Sequence, residues 1–511
     1  MKKRAKLEEI KRLFEAYENL TIKELSKKSH LTERTLRNYI ALLIEEGLVV
    51  AIGETNKRYY QRSYAIDEEP IVLMVLQNGI EVGTLSFTYA KGYLFSYSSS
   101  YRGAKLPFLP ESINESYSLF PLFENLIPES KRRERLLFKD GKVLNPLELL
   151  LELDNTHGSF DFTQLLSFVK EDREESTKIV SWKQIKKTIL GNNDFVNLIN
   201  YELDIPIEAL KGVIKSRELY SSLSGYQHKI DVNLDHKSKK ITRVKKEKGE
   251  LAHYLLKPYA TDRRIKHTPY LALNEHLFMS FAKNELKLDV PWSAVILGQN
   301  RDFYFLVKRY DRYKGYKYHQ YDFAQQLNIE SEDKYDVSIL SILEKFTQTV
   351  KDKKSQEDIY RFIIYSSLIK HGDLHAKNLG LIEIGKDKWA LAPLYDIIST
   401  YIYEGKKGDD FGIIFDYKNP KRKGLNYKEY LQMAKVLKLS DSKARTILKD
   451  TIKRFQIYFP KYIQTTKDFE KELGYRHLLS KKLELLYKHK NMEFDKLGVF
   501  KEIGLKSFVT F

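Results

Sequence analysis

Residues His371–Gly380 read H-G-D-L-H-A-K-N-L-G, and the reading of the whole chain turns on them. Four residues separate Asp373 from Asn378, the D-x-x-x-x-N spacing of a phosphoryl-transfer loop. In that chemistry a carboxylate accepts the proton of the attacking hydroxyl, while an amide oxygen helps to hold Mg²⁺. A bare Asp/Asn pair is more often an ordinary polar turn, here between a helix over 356–371 and a strand over 379–384. His371, Gly372, His375 and Lys377 crowd the same loop and shift the balance towards chemistry.

Such a loop needs a second oxygen ligand for its metal. Residues 378–384 and 389–396 are apolar and strand-like, with Gly385-Lys386-Asp387 as a turn signal between them. A hairpin folded about Asp387 sets Asn378 and Asp396 side by side. Asp396 is then the second ligand, and Asp373 stays free as the base. The competing reading of Asp396 is a helix N-cap ahead of Ile397-Ile398-Ser399.

Outward from this core, 511 residues suffice for several domains, and 42% hydrophobic content with 13% aromatics describes a globular chain. The absence of cysteine excludes disulfides, thiolate nucleophiles and Cys-based zinc sites, and fits a reducing cytoplasm. Neither a signal peptide nor an apolar run of roughly 18 residues is present, so no membrane role is expected. The net charge of +18 fits a polyanionic partner, and equally a lysine-rich solvated surface.

The N-terminal residues supply a specific reason for positive charge. Leu7, Ile10, Phe14 and Tyr17 have helical spacing, and Thr21-Ile-Lys-Glu24 is a capping box for a second helix. Thr32 caps a third helix with Leu36, Ile40 and Leu43 inside and Arg34, Thr35, Arg37 and Asn38 outside. Strands over 49–52 and 58–62 flank residues 53–57 as a two-stranded wing. This is a winged helix-turn-helix pattern, with the third helix suited to a major groove and Lys57 and Arg58 to phosphates. The same fold also serves protein interaction and dimerisation.

Short strands over 71–75, 83–88 and 93–97 follow, then a helical stretch over 120–137 interrupted at Pro128. Asp154-Asn-Thr-His157-Gly158 reads as a loop. Ser221-Ser-Leu-Ser-Gly225-Tyr-Gln-His-Lys229 precedes an alternating strand and is a candidate phosphate loop, although taken alone it reads as a serine-rich turn. Lys257 ends a strand about 30 residues later, where the kinase plan places its phosphate lysine. Glu275, early in a helix over 271–286, is the candidate ion-pair partner, and Lys308–Arg312 follows a further strand at the place of an interlobe hinge. Beyond Asp322 helical periods dominate, over 337–350, 356–371, 427–436, 440–458 and 475–488.

Assembled, these segments resemble the HipA family of serine/threonine kinase toxins. The resemblance rests on Gly83-Thr-Leu-Ser86, Phe123–Glu129, Ser224-Gly-Tyr-Gln-His-Lys229, Leu256-Lys-Pro258, Asn274-Glu275, Arg309–Arg312, Asp322–Gln325, Asp373–Asn378 and Leu391–Asp396. It implies an α+β, bilobal kinase-like fold, with a winged helix-turn-helix domain over 1–66 and a HipA-type N-terminal subdomain over 67–170. A kinase N-lobe over 171–318 and a helical C-lobe over 319–511 complete it. It also implies ATP and Mg²⁺ as cofactors, with Asp373 as proton acceptor, Asn378 and Asp396 on the metal, and Lys257 on the phosphates. Ser224, Gly225, Tyr226, Gln227, His228 and Lys229 would surround the nucleotide. Lys308, Arg309, Tyr310, His375, Ala376, Lys377, Asn378, Tyr395 and Asp396 would complete that shell. Ser222, with Ser224 nearby, corresponds to the family's autophosphorylated serine.

The implied partners are operator DNA and a protein substrate such as an aminoacyl-tRNA synthetase, whose phosphorylation inhibits growth; an antitoxin and a homodimer stay open. Tyr226, His228 and Lys308 depart from the family pattern, and the DNA-binding module is fused to the kinase itself. Two rival readings stand beside it. H-G-D-L-H-x-x-N also matches aminoglycoside/choline-type phosphotransferases, and a kinase fold can serve as the ATP sensor of a transcription regulator.

Overall fold

The computed structural model describes residues 6–506 except 8–9, 12, 15–16, 18, 46–47, 54–57, 64–69, 89–91, 129–137, 140–141, 144, 154, 165–180, 211–227, 245–249, 259–270, 299–302 and 475–478. The chain divides into two compact units, residues 1–154 with 160–172, and residues 155–159 with 173–511.

In the first unit, helix α1 (Ile22–Ser29) starts on a closed capping box, Thr21 accepting from the Glu24 amide while Glu24 accepts from the Thr21 amide. Helix α2 (Glu33–Glu45) starts at Thr32, whose hydroxyl accepts from Thr35 N–H. Strands β1 (Val49–Ile52) and β2 (Tyr59–Arg62) pair antiparallel, Val49 opposite Arg62, as a wing. Ile10, Leu25, Leu36, Ile40 and Leu43 close the core beneath.

Five antiparallel strands follow in the order β6-β5-β4-β3-β7: β3 (Ile71–Gln77), β4 (Ile80–Thr88), β5 (Gly92–Tyr97), β6 (Ile113–Ser116) and β7 (Phe160–Gln164). Helix α3 (Pro146–Glu152) packs against them. Of the helical stretch expected over 120–137, the described residues contain one turn, Pro121–Glu124, carrying Phe123 into the core.

The second unit begins its ordered elements with α4 (Trp182–Leu190) and builds a six-stranded sheet in the order β8-β10-β9-β11-β13-β12. Its strands are β8 (Glu202–Asp204), β9 (Ile230–Asp235), β10 (Lys240–Arg243), β11 (Tyr254–Lys257), β12 (Ser293–Leu297) and β13 (Phe303–Lys308). Ile230, Val232, Ile241, Leu256 and Leu306 fill one face. Helix α5 (Leu271–Asn284) covers the other and is buried from Ala272 to Ala282 without a break, the mark of a helix with no solvent face.

Below lies the helical body. Strand β14 (Gln320–Asp322) forms a three-stranded sheet with β15 (Gly380–Gly385) and β16 (Lys388–Leu391). Helices α6 (Ile339–Thr349), α7 (Lys353–Ile369), α8 (Tyr427–Val436), α9 (Asp441–Glu472), α10 (Leu479–Lys496) and α11 (Val499–Ile503) share one large core. Helix α9 does not stop near Tyr458 as its sequence period suggests, but passes Pro460. Phe455, Phe459, Tyr462 and Ile463 continue one buried stripe across the proline, and their packing outweighs the lost hydrogen bond.

Candidate active site

The site grows from three element ends. Lys257 is the last residue of β11 and lies buried, its Nζ donating to Glu275 Oε1 at 2.8 Å and Oε2 at 3.0 Å. It also donates to Asp396, so one ammonium faces two carboxylates. Burial works against the Lys257 charge, but Asp396 and Glu275 outweigh it and raise its pKa. Burial likewise opposes ionisation of Asp396, yet Lys257 and Lys229 together hold that carboxyl well below its usual range. Glu275 is pushed up to about 8 by burial, with Asp396 adding to it, although it contacts the same ammonium. One cation neutralises one carboxylate, and the second binds a proton more readily.

The second element is the end of α7. Lys370 adopts a left-handed conformation that turns the chain into His371, whose buried imidazole has neither nitrogen partnered among the described residues. Burial lowers the His371 pKa to about 4, so the ring is neutral against Phe362. Asp373 follows and accepts the Tyr335 hydroxyl at 2.6 Å through Oδ1. Burial raises the Asp373 pKa, the Tyr335 bond opposes this, and the Asp396 charge adds to it. Ala376–Asn378 is a single tight turn, with Asn378 Oδ1 accepting from His375 N–H at 3.1 Å and His375 Nδ1 from Lys377 N–H at 3.2 Å. The Lys377 ammonium turns away to Ser331, at 2.9 Å.

The third element is the chain after β16. The hairpin register pairs Leu381 with Leu391 and Glu383 with Trp389, and continued it would set Leu394 opposite Asn378. Strand pairing alone therefore does not bring Asp396 to the loop. The Tyr395 hydroxyl does so, donating to the Lys377 carbonyl at 2.6 Å. Asp396 itself has φ of 55°, a conformation an aspartate adopts at a cost and one concentrated at functional sites. It caps no helix: residues 393–399 are irregular, and the next helical turn, Tyr401–Glu404, starts beyond it.

The expected hinge has a different use for its side chains. Arg309 donates to Asp311, to the Asn155 carbonyl at 2.7 Å and to the Thr156 carbonyl at 3.0 Å. Arg312 donates to the Gly158 carbonyl at 2.7 Å, and Asp311 accepts from Gly158 N–H at 3.0 Å. Residues 155–159, which read as a plain loop, are thus a strap clamped into the kinase-like unit. His157 lies inside it, its ring edge-on to both the Tyr310 and Tyr395 rings, and its pKa is lowered to about 3 by burial. Of the expected nucleotide shell, Arg309 faces this strap, Tyr310 is buried against Tyr395, and Lys308 donates to the Thr188 carbonyl.

Ser222, Ser224, Gly225, Tyr226 and Gln227 lie outside the described residues. His228 bonds the Ala209 carbonyl at 2.7 Å, while buried Lys229 acts electrostatically on Asp396. In the first unit Arg34, Arg37 and Asn38 are exposed on α2, Thr35 bonds Thr32, Arg58 is exposed before β2, and Lys57 lies outside the described residues.

Two groups were invisible in the sequence. Tyr335 carries no motif and sits 38 positions before the aspartate it touches. The other is a buried charge cluster behind the loop. Asp410 accepts from Lys370 at 3.2 Å and Lys490 at 2.7 Å, all three fully buried, and Glu493 accepts from Lys490 at 2.7 Å. Only the pairing of fully apolar helix faces with isolated lysines could have hinted at it.

A strand lysine paired with a helical glutamate, above a helical body presenting a D-x-x-x-x-N loop, defines a protein-kinase-like fold. Comparison with known proteins refines this. Residues 221–457 match the HipA-like C-terminal domain, residues 73–156 the HipA N-terminal domain, and residues 6–61 an HTH domain. The chain belongs to the HipA-like kinase family, with an HTH domain at its N-terminus.

A Haemophilus influenzae protein described as "Putative kinase" is 30% identical over 40% of this chain and 60% of its own length. A Sinorhizobium fredii protein, "Putative kinase Y4dM", is 26% identical over 36% of this chain and 47% of its own. The matches thus span less than two thirds of either relative. The fold is similar to that of Shewanella oneidensis HipA, solved with HipB and operator DNA. The TM-score is 0.57 at 15% identity, covering 85% of this chain and all of that one. Among the described residues no helix is long and apolar enough to cross a membrane.

Proposed function

We propose that the chain is a Mg²⁺-ATP-dependent serine/threonine protein kinase of HipA type that also binds DNA through its N-terminal domain. The observation that carries this reading is the convergence of Lys257, Glu275 and Asp396 on one buried point, with Asp373 in electrostatic reach. In this reading Lys257 holds the ATP phosphates, and Glu275 holds Lys257. Asp373 receives the proton of the acceptor hydroxyl. Asp396 and Asn378 present carboxylate and amide oxygens, a hard donor set suited to Mg²⁺. Bound there, Mg²⁺ would neutralise charge on the transferred phosphoryl group. The left-handed turn at Asp396 and the bond that Asn378 Oδ1 accepts from His375 N–H support this reading, since each restricts its residue's conformation.

The resemblance to HipA kinases extends the proposal. Ser222 or Ser224 is autophosphorylated, and a phosphate of nearly two negative charges there repels ATP and switches the enzyme off. The protein substrate is of the aminoacyl-tRNA synthetase kind. Arg34, Arg37 and Asn38 on α2 read operator DNA, so the kinase regulates its own operon. The test is mass spectrometry of the purified chain after incubation with Mg²⁺-ATP. Phosphate on Ser222 or Ser224 supports the reading. Phosphate appearing only on an aminoglycoside or amino alcohol favours the small-molecule enzyme, and ATP-dependent DNA binding without transfer favours a sensor.

A further inference from the structure

We propose that Tyr335 is a positioning residue for phosphoryl transfer, fixing the base Asp373 so that one chosen carboxylate oxygen faces the acceptor. The proposal rests on the kinase reading of the site.

Tyr335 donates its hydroxyl to Asp373 Oδ1 at 2.6 Å, and among the described residues no donor reaches Oδ2. A carboxylate on a short side chain has one rotation that matters here, and a single bond to Oδ1 fixes it. Oδ2 is left to take the acceptor proton. As the acceptor oxygen forms its bond to the γ-phosphorus, the bond from phosphorus to the bridging oxygen breaks. ADP leaves with that electron pair, and the proton stays on Asp373.

The phenol is itself held firmly enough to do this. Its ring meets the His375 ring edge-on at 5.0 Å. The Lys334 carbonyl accepts from Ala376 N–H at 3.1 Å, and Ser331 accepts from Lys377 at 2.9 Å, so the segment before Tyr335 is tied to the catalytic loop twice. On the far side Gly412 closes the fit, since a Cβ there would lie 2.9 Å from Tyr335 Cε1 and 2.7 Å from the Leu374 carbonyl. Tyr335 also lines, with Gly372, Gly412 and Arg422, a cleft of about 450 Å³ that reaches the residue preceding Asp373.

A tyrosine suits the task better than a cation. Burial and the Asp396 charge both favour the protonated form of Asp373, and the Tyr335 bond opposes them together with the more distant charges of Lys334 and Lys257. A neutral O–H donor stabilises the carboxylate against them without cancelling the charge that draws the acceptor proton.

The test compares the full-length protein with Tyr335→Phe, which keeps the ring against His375 and loses only the hydroxyl. Turnover of Mg²⁺-ATP, read as γ-phosphate released or transferred, is followed across pH, with thermal melting as the folding control. The expected result is a fall in kcat of roughly tenfold to a hundredfold, little change in KM for ATP, and an acid limb displaced to higher pH. Turnover by the natural protein with an unmoved acid limb in Tyr335→Phe overturns the positioning role and leaves the kinase reading intact. No turnover by the natural protein overturns both. If Tyr335→Phe melts early, Tyr335→Leu and Tyr335→His provide the same comparison, and of these only His, able to donate an N–H, should restore the limb.

Discussion

Lys257 and Glu275 meet in the interior with Nζ 2.8 Å from Oε1 and 3.0 Å from Oε2, and both side chains are only 4% exposed. A pair so deep is held by geometry, since removing either partner strands a charge in a low-dielectric site. Here Asp396 shares the ammonium, so in the proposed kinase reading ATP phosphates would compete with Asp396 for a cation already in place.

Lys257→Met therefore does two things. It leaves Asp396 without its main counter-charge, for a loss of stability of up to about 3–5 kcal/mol. Glu275, whose pKa is already pushed up to about 8, takes a proton and softens the loss. Urea unfolding should show the drop, and ATP affinity measured by calorimetry should fall with it. Full affinity in a stably folded Lys257→Met would remove the lysine from the phosphate site.

Acid should destabilise the kinase-like unit early. Burial lowers His157 to about 3, and His276 and His371 to about 4, from an ordinary value near 6.5. Between those limits the unfolded chain binds more protons than the folded one. The stability these neutral rings contribute is thus complete above about pH 6.5 and declines by about 1.4 kcal/mol per pH unit per ring as pH falls. Urea midpoints at about pH 7 and about pH 5 should differ accordingly, and His276→Asn should reduce the difference. Equal midpoints would mean that these rings are solvated.

Helix α10 is bound into the body behind the catalytic loop, through a lysine beyond the HipA-like match, which ends at 457. Lys490→Met should cost about 1.5–3 kcal/mol by removing one of the two lysines on Asp410, which keeps Lys370, Ser367 and the Gly424 N–H. Lys488→Met, two residues earlier on the same helix and exposed, should change stability by less than about 0.5 kcal/mol. Chemical denaturation distinguishes them, and equal effects would contradict the buried cluster.

Arg34→Ala and Arg37→Ala should weaken DNA binding. Arg37 bonds Glu33 at 3.2 Å, but both side chains are largely exposed, so the pair is weak enough to open for DNA. If Arg37 contacts a phosphate, the slope of log K against log salt should fall by about one in Arg37→Ala. An unchanged slope and affinity would move DNA contact off α2.

Much of this was legible in the sequence because short-range signals carry it. The Thr21–Glu24 capping box, the turn at Gly385 and the alternating strands state their structure within a few residues. The kinase-like order of Lys257, Glu275, Asp373 and Asp396 emerged from spacing. What stayed hidden depends on long-range contact. Tyr395 rather than the hairpin register brings Asp396 to the loop, the strap at His157 is clamped by arginines some 150 positions away, and Lys490 looks like any surface lysine until its burial is seen. Pro460 shows the converse, a strong local signal overruled by the packing of Phe459 and Tyr462.

The central claim is that Asp373 serves as the base of a phosphoryl transfer. The direct measurement is single-turnover transfer from Mg²⁺-ATP by the natural protein and by Asp373→Asn, whose amide oxygen can still accept the Tyr335 bond. ATP affinity should be retained while the transfer rate falls by roughly 10²–10⁴-fold. An Asp373→Asn protein that transfers phosphate at the natural rate would contradict the account.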